Sequence, residues 1–190
     1  MSDTAPPYDA IVLAGGAARR LGGADKALLT VGAQTMLDRA LTAVSGAESV
    51  VVVGPRRDVA LPRAVRWTRE EPAGSGPPAA LAAGAAAVDA GVVVVLAVDT
   101  PLVDRSLVEA LVRRLGGADA AVLVDVEGCR QPLIAAYRRA VLLTAGRFRS
   151  LRELIAALEV IELPDTTGAS RDADTPADLA SLQDRMLDGP

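Results

Sequence analysis

Short apolar runs rich in valine and isoleucine alternate along the chain with longer segments rich in alanine and leucine. Runs of four to seven residues have the length of buried strands, and the longer segments carry apolar residues at helical spacing. The strands predicted this way are Ala10–Leu13, Ser49–Val53, Val65–Thr68, Val92–Val98, Ala120–Val124 and Val160–Leu163. Helices are expected over Met36–Val44, Ala79–Ala90, Ser106–Leu115, a segment near Tyr137–Leu143, Leu151–Leu158 and Pro176–Met186. Strands and helices in alternation imply an α/β fold: a three-layer, mostly parallel sheet with helices on both faces. Val92–Val98 reads VVVVLAV, has no polar face, and belongs at the centre of that sheet.

Two helix starts are marked by polar residues. Ser150 precedes Glu153 by three positions, and Thr175 precedes Asp178 by three with Pro176 in the first turn, both patterns that satisfy free amide groups at a helix start. The segment Pro72–Pro78, PAGSGPP, has the composition of a linker. Because a helix and then the central strand follow it within the same alternation, it is better read as an active-site loop. The alanine-rich AALAAGAAAVDA carries small side chains that let a helix sit close to a sheet, and no repeat of solenoid period is visible.

Composition narrows the choices. A chain of 190 residues, 51% of them hydrophobic, suits one domain spanning residues 1–190, with residues 1–8 expected to be flexible. Four aromatic residues and a net charge of -4 leave neither the basic stripe nor the stacking platform of a nucleic-acid binder. One cysteine and no histidine exclude an internal disulfide, a Cys/His zinc site and an imidazole base. No apolar run reaches the roughly 20 residues that span a bilayer, and the start MSDTAPPYDA lacks the basic and apolar regions of a signal peptide. The expected setting is cytoplasmic, without a membrane partner.

Candidate chemistry begins at LAGGAARRLGGADKALL, Leu13–Leu29. In open parallel sheets the turn leaving the first strand is the usual phosphate site. Gly15, Gly16, Gly22 and Gly23 permit successive backbone N–H groups to converge on an anion, while Arg19, Arg20 and Lys26 supply positive charge. Neither a Walker A string nor the spacing of a dinucleotide-binding loop is present. Of 20 basic residues, Lys26 is the one lysine, which suggests a need for a compact ammonium there.

Asp99 closes the central strand and is followed by Pro101, so it faces the same sheet edge as the glycines, where Mg²⁺ on a nucleotide would sit. A second acidic segment, Asp172-Ala173-Asp174-Thr175-Pro176, precedes the last helix. Asp174 there is either a metal ligand or a helix-capping residue.

The Leu13–Leu29 stretch resembles the signature loop of the molybdenum cofactor guanylyltransferases, within the wider group of nucleotidyltransferases with a Rossmann-like sheet. The resemblance implies that Leu13, Ala14, Gly15 and Gly16 meet the guanine through backbone, that Arg20 holds phosphates, and that Lys26 binds near the α-phosphate. Asp99 resembles the family's metal aspartate and Asp174 the second asparagine position of its N-x-N-T-P motif, although aspartate at both asparagine positions is closer to related cytidylyl- and sugar-nucleotide transferases. Gly74–Ala80 resembles the loop shaping the guanine side of the pocket. Glu71, with Glu70 as its rival, stands in for an aspartate that holds base or ribose, and Gly54 replaces a nucleotide-binding asparagine. Gln131-Pro132-Leu133 resembles a segment near the acceptor.

The activity implied is Mg²⁺-dependent transfer of GMP from GTP to the molybdopterin cofactor, with a delivery protein or target enzyme as a further partner. Alternatives are a cytidylyltransferase for the same cofactor, a sugar-1-phosphate nucleotidyltransferase, and a nucleotide-binding module without turnover.

Overall fold

The computed structural model describes residues 5–15 and 25–187. In chain order its elements are β1 (Asp9–Leu13), β2 (Thr30–Val31), β3 (Gln34–Thr35), α1 (Met36–Ala43), β4 (Val50–Val53), β5 (Arg66–Thr68), α2 (Pro77–Ala86), β6 (Val92–Ala97), α3 (Arg105–Leu115), β7 (Ala120–Val124), β8 (Arg130–Arg138), α4 (Arg139–Leu143), α5 (Leu151–Ala156), β9 (Val160–Pro164) and α6 (Pro176–Leu187). Seven strands form one sheet in the order β5-β4-β1-β6-β8-β7-β9, and β2 and β3 make a separate hairpin. All neighbours pair in parallel except β8, which runs antiparallel to both β6 and β7.

Alternation along each strand divides the interior into two layers. Ala10, Val12, Val94 and Leu96 face one side with α1 and α3, while Ile11, Leu13, Val93 and Val95 face the other with α2, α4 and α5. The strand period of two therefore builds both halves of a three-layer fold from the same apolar runs. β6 is buried along its whole length, as its lack of a polar face requires. Helix α2 packs close to β1: a Cβ at Gly84 would fall 2.8 Å from Ile11 Cγ2.

Several local signals operate as expected. Ser150 accepts from the Glu153 amide at the start of α5, and Thr175 and Asp178 cap α6 reciprocally, at 3.2 and 2.7 Å. Helix α2 starts earlier than its predicted Ala79, because prolines fit a first helical turn, and it ends earlier than Ala90. The early end has a polar cause. The buried Asp9 carboxylate accepts from the amides of Asp89 and Ala90 at 2.9 Å and from Ser49 at 3.0 Å, drawing that segment out of helical geometry. Tyr8, within the stretch expected to be flexible, is instead buried in the core.

The larger correction lies at β8. Tyr137–Leu143 was expected to be helical, but Tyr137 and Arg138 belong to a nine-residue strand, and only Arg139–Leu143 is helix. Alanine-rich sequence is ambiguous locally; pairing with β6 on one side and β7 on the other makes Ala135, Ala136 and Tyr137 strand residues and buries them fully. Pro132 is accommodated where the β7–β8 register shifts between Val122 and Leu123.

Candidate functional site

The parallel strands β5, β4, β1 and β6 all end at one edge of the sheet. The order in which strands are added reverses there, since β4 and β5 lie on one side of β1 and β6 on the other. Such a crossing point opens a crevice between neighbouring strand ends. It holds a cavity of about 610 Å³ lined by Leu13, Ala14 and Gly15 after β1, Val53, Gly54 and Pro55 after β4, Arg69 and Glu70 after β5, and Ala97, Val98 and Asp99 after β6. Gly74, Gly76, Pro77 and Ala80, with Leu133, Asp25 and Lys26, complete the lining.

Lys26 stands at the centre of the polar part. Its Nζ donates to Asp99 Oδ2 at 3.1 Å and to Asp174 Oδ1, joining two carboxylates far apart in sequence. Burial opposes the charge on Lys26, whose side chain is 16% exposed, but the bond to Asp174 and the charge of Asp99 outweigh it and raise the pKa. The ammonium thus stays protonated through neutral pH. Asp172 does not join it; burial and the neighbouring Asp174 and Asp99 charges push its carboxyl up. Ala173 N–H donates to the Asp99 carbonyl at 3.0 Å, which stitches the segment before α6 to the end of β6. Thr175 and Asp178 cap α6, and the Asp174 carboxylate just before them accepts from Lys26.

The opposite wall is built from backbone. Gly54 has φ +150°, and a Cβ there would fall 2.8 Å from Ala14 C and 2.9 Å from Gly15 N, so only glycine lets β4 and β1 leave the sheet this close together. Gly76, with φ +91°, begins α2 without a side-chain cap. Pro77 and Pro78 carry no amide hydrogens, so this helix start offers fewer donors than usual and more apolar surface, suited to the flat face of a heterocycle.

The sequence-predicted residues divide as follows. Leu13, Ala14, Gly15, Lys26, Asp99 and the Gly74–Ala80 loop share the cavity. Asp174 reaches it through Lys26. Glu70, not Glu71, lines the wall, where Glu70 Oε1 accepts from Gly74 N–H at 2.8 Å; Glu71 is exposed. Gln131 turns to Asp125, donating at 2.7 Å, and it is Leu133 of that segment that faces the cavity. Gly16, Arg19, Arg20, Gly22 and Gly23 lie outside the described residues. Sequence reasoning missed Arg69 as a second cation at the wall, although its place just past β5 on the carboxyl edge was a usable signal. It also missed Arg57, which touches no cavity surface but holds the cavity's edge.

As donors for a hard cation, Asp99 and Asp174 fit. Their oxygens converge on one ammonium, and Mg²⁺ takes one or two carboxylates with phosphate oxygens and water. No group of three acidic, cysteine or histidine side chains that could hold a metal occurs among the described residues. No described helix is long and apolar enough to cross a membrane.

Comparison with known proteins gives a consistent picture. Residues 10–162 match the model of the MobA-like NTP transferase domain. The chain is 34% identical over 145 residues, 75% of its length and 76% of the relative's, to a molybdenum cofactor guanylyltransferase of Pseudomonas putida. It is 35% identical over 185 residues, 90% of its length and 93% of the relative's, to a probable molybdenum cofactor guanylyltransferase of Mycobacterium avium. Among solved structures, molybdopterin-guanine dinucleotide biosynthesis protein A from Archaeoglobus fulgidus superposes with a TM-score of 0.76 at 20% identity, over 95% of this chain and 99% of that one. At that identity the likeness is one of fold.

Proposed function

The chain belongs to the family of MobA-like NTP transferases, and on that premise we propose that it transfers GMP from GTP to the terminal phosphate of the molybdopterin cofactor, releasing pyrophosphate. One juxtaposition carries the chemistry: a single ammonium, Lys26, held between Asp99 and Asp174 in the lining of a cavity walled by glycine backbone.

In the proposed reaction a phosphate oxygen of the acceptor forms a bond to the α-phosphorus of GTP, and the bond from that phosphorus to the bridging oxygen of the β-phosphate breaks. The acceptor phosphate is already ionised near neutral pH, so no proton need be removed, consistent with a chain that contains no histidine. Rate enhancement then comes from positioning and charge neutralisation. Leu13, Ala14, Gly15 and Gly16 meet the base and phosphates through backbone, with the Gly74–Ala80 loop and Glu70 on the base side. Arg20 and Lys26 hold the phosphates. Asp99, with Asp174, would hold Mg²⁺, which when bound neutralises phosphate charge. Leu133 marks the side from which the acceptor enters. The cytoplasm is the proposed setting, and a protein that delivers or receives the cofactor is the proposed partner.

The test supplies purified protein with molybdopterin cofactor, Mg²⁺ and each of GTP, CTP, UTP and ATP, and follows pyrophosphate release together with the melting temperature. GTP should give the largest release and, by mass action, the largest thermal shift. Equal or greater turnover with CTP would reassign the base, an outcome that the Asp172-x-Asp174 spelling makes worth measuring. Thermal shifts without pyrophosphate from any nucleotide would refute transfer itself.

A further inference from the structure

We infer that Arg57 is a positioning residue for the transfer reaction: it ties both ends of the glycine-rich loop to the sheet and thereby fixes where Lys26 stands. The inference rests on the nucleotide-site reading above.

Arg57 lies four residues beyond β4, and its side chain is only 7% exposed. The guanidinium is used in three directions. Nε and Nη2 donate to the two oxygens of Asp25 at 2.6 and 2.7 Å, a bidentate pair. Nη2 also donates to the Ala14 carbonyl at 2.9 Å, and Nη1 to the Pro55 carbonyl at 3.0 Å. Its central carbon lies 5.9 Å from the centre of the Trp67 ring, on the neighbouring strand β5. Ala14 is where the chain leaves β1 for the glycine-rich loop, and Asp25 is where it returns. One side chain therefore clasps both stems and anchors them to the end of β4.

The path from Arg57 to the reacting region is short. Asp25 caps the turn Lys26–Leu28 by accepting from Ala27 N–H at 3.1 Å, so the carboxylate that Arg57 grips also sets the turn that begins with Lys26. Lys26 then reaches Asp99 and Asp174. The pair with Arg57 holds the Asp25 carboxyl below the usual carboxylate range, so the clasp stays charged at neutral pH. A lysine at position 57 presents one point charge and cannot grip a carboxylate bidentately while also donating to two carbonyls. Arg56 next to it is exposed and makes none of these bonds.

A residue that merely stabilises the fold and one that positions Lys26 differ in kinetics. The experiment is a double-mutant cycle on the full chain with Arg57→Met and Lys26→Ala, measuring single-turnover pyrophosphate release, GTP affinity by calorimetry and melting temperature. If Arg57 acts through Lys26, Arg57→Met lowers the rate roughly ten- to a hundredfold with a much smaller change in GTP affinity. In the Lys26→Ala background the same substitution then costs little, because non-additivity is the signature of residues acting as one unit. Arg57→Lys, which keeps the charge and most of the stem and covers the case that Arg57→Met fails to fold, should reproduce the rate loss. Additive rate losses, or a wild-type rate in Arg57→Lys, would overturn the positioning role alone. A wild-type rate in Lys26→Ala would overturn the site reading, and the role of Arg57 with it.

Discussion

Asp165, one residue beyond β9, is 8% exposed, and its carboxylate organises the whole turn that follows. It accepts from the amides of Thr167, Gly168, Ala169 and Ser170 at 3.0, 2.8, 3.0 and 2.8 Å, and from the Ser170 hydroxyl at 2.6 Å. Burial works against the charge, but the Ser170 hydroxyl and these amides prevail and hold the carboxyl down to about 2. From this turn the chain runs directly to Ala173 and Asp174, so its order bears on the site. The drop from 3.8 to about 2, at about 1.4 kcal/mol per pH unit, amounts to about 2 kcal/mol. Because the folded value is the lower one, this stability is complete above the unfolded value and is lost as pH falls from near 5 towards 2. Asp165→Asn removes the titration while keeping the shape. Urea unfolding of both proteins between pH 2 and pH 6 should show the wild-type advantage shrinking by about 2 kcal/mol over that range, with amide protection factors at 167–170, taken relative to intrinsic exchange at each pH, falling in wild type as the gap closes. Other carboxylates titrate in both proteins and cancel in the difference. Parallel stability curves would refute the assignment of this charge as the organiser of the turn.

Lys26→Ala should lower the single-turnover rate on the order of 10²–10³ and GTP affinity far less, since in the proposed site Arg20 and backbone remain to hold ground-state phosphates; Lys26→Arg should recover little, because a planar fork replaces the compact ammonium on which Asp99 and Asp174 both converge. Comparable losses in rate and affinity would contradict this. Asp99→Asn should fold and lose most turnover at limiting Mg²⁺, whereas Asp174→Asn, at the more exposed of the two carboxylates, should be milder, as a Mg²⁺ titration of the rate would show. Gly54→Ala should cost about 1–3 kcal/mol in chemical denaturation and weaken GTP binding, because the new Cβ meets the Ala14–Gly15 backbone rather than a movable side chain; an unchanged midpoint would show that the two strand ends can separate.

What sequence alone determined here is everything carried by short-range pattern. Apolar runs such as Val92–Val98 encode their own burial, since a strand without a polar face has only the sheet's interior to occupy. Thr175 with Asp178 encodes a helix start within four residues. That Leu13, Ala14, Gly15, Lys26 and Asp99 line one cavity was legible because chain direction in a parallel sheet places strand ends on one edge, and because a lone lysine among arginines stands out. The tertiary structure decided what depends on partners distant in sequence. Whether Tyr137 lies in a helix or a strand was settled by vacant hydrogen-bonding edges on β6 and β7, which its own neighbours do not encode. Glu70 was separated from Glu71 by the loop after β5, which brings Glu70 to the cavity wall and to the Gly74 amide and leaves Glu71 exposed. The Lys26–Asp174 pair and the Arg57 clasp join segments 148 and 32 residues apart. Such contacts form only after the sheet has assembled and brought loops from separate strands to one edge, where desolvation makes unpaired charge costly and opposite charges meet.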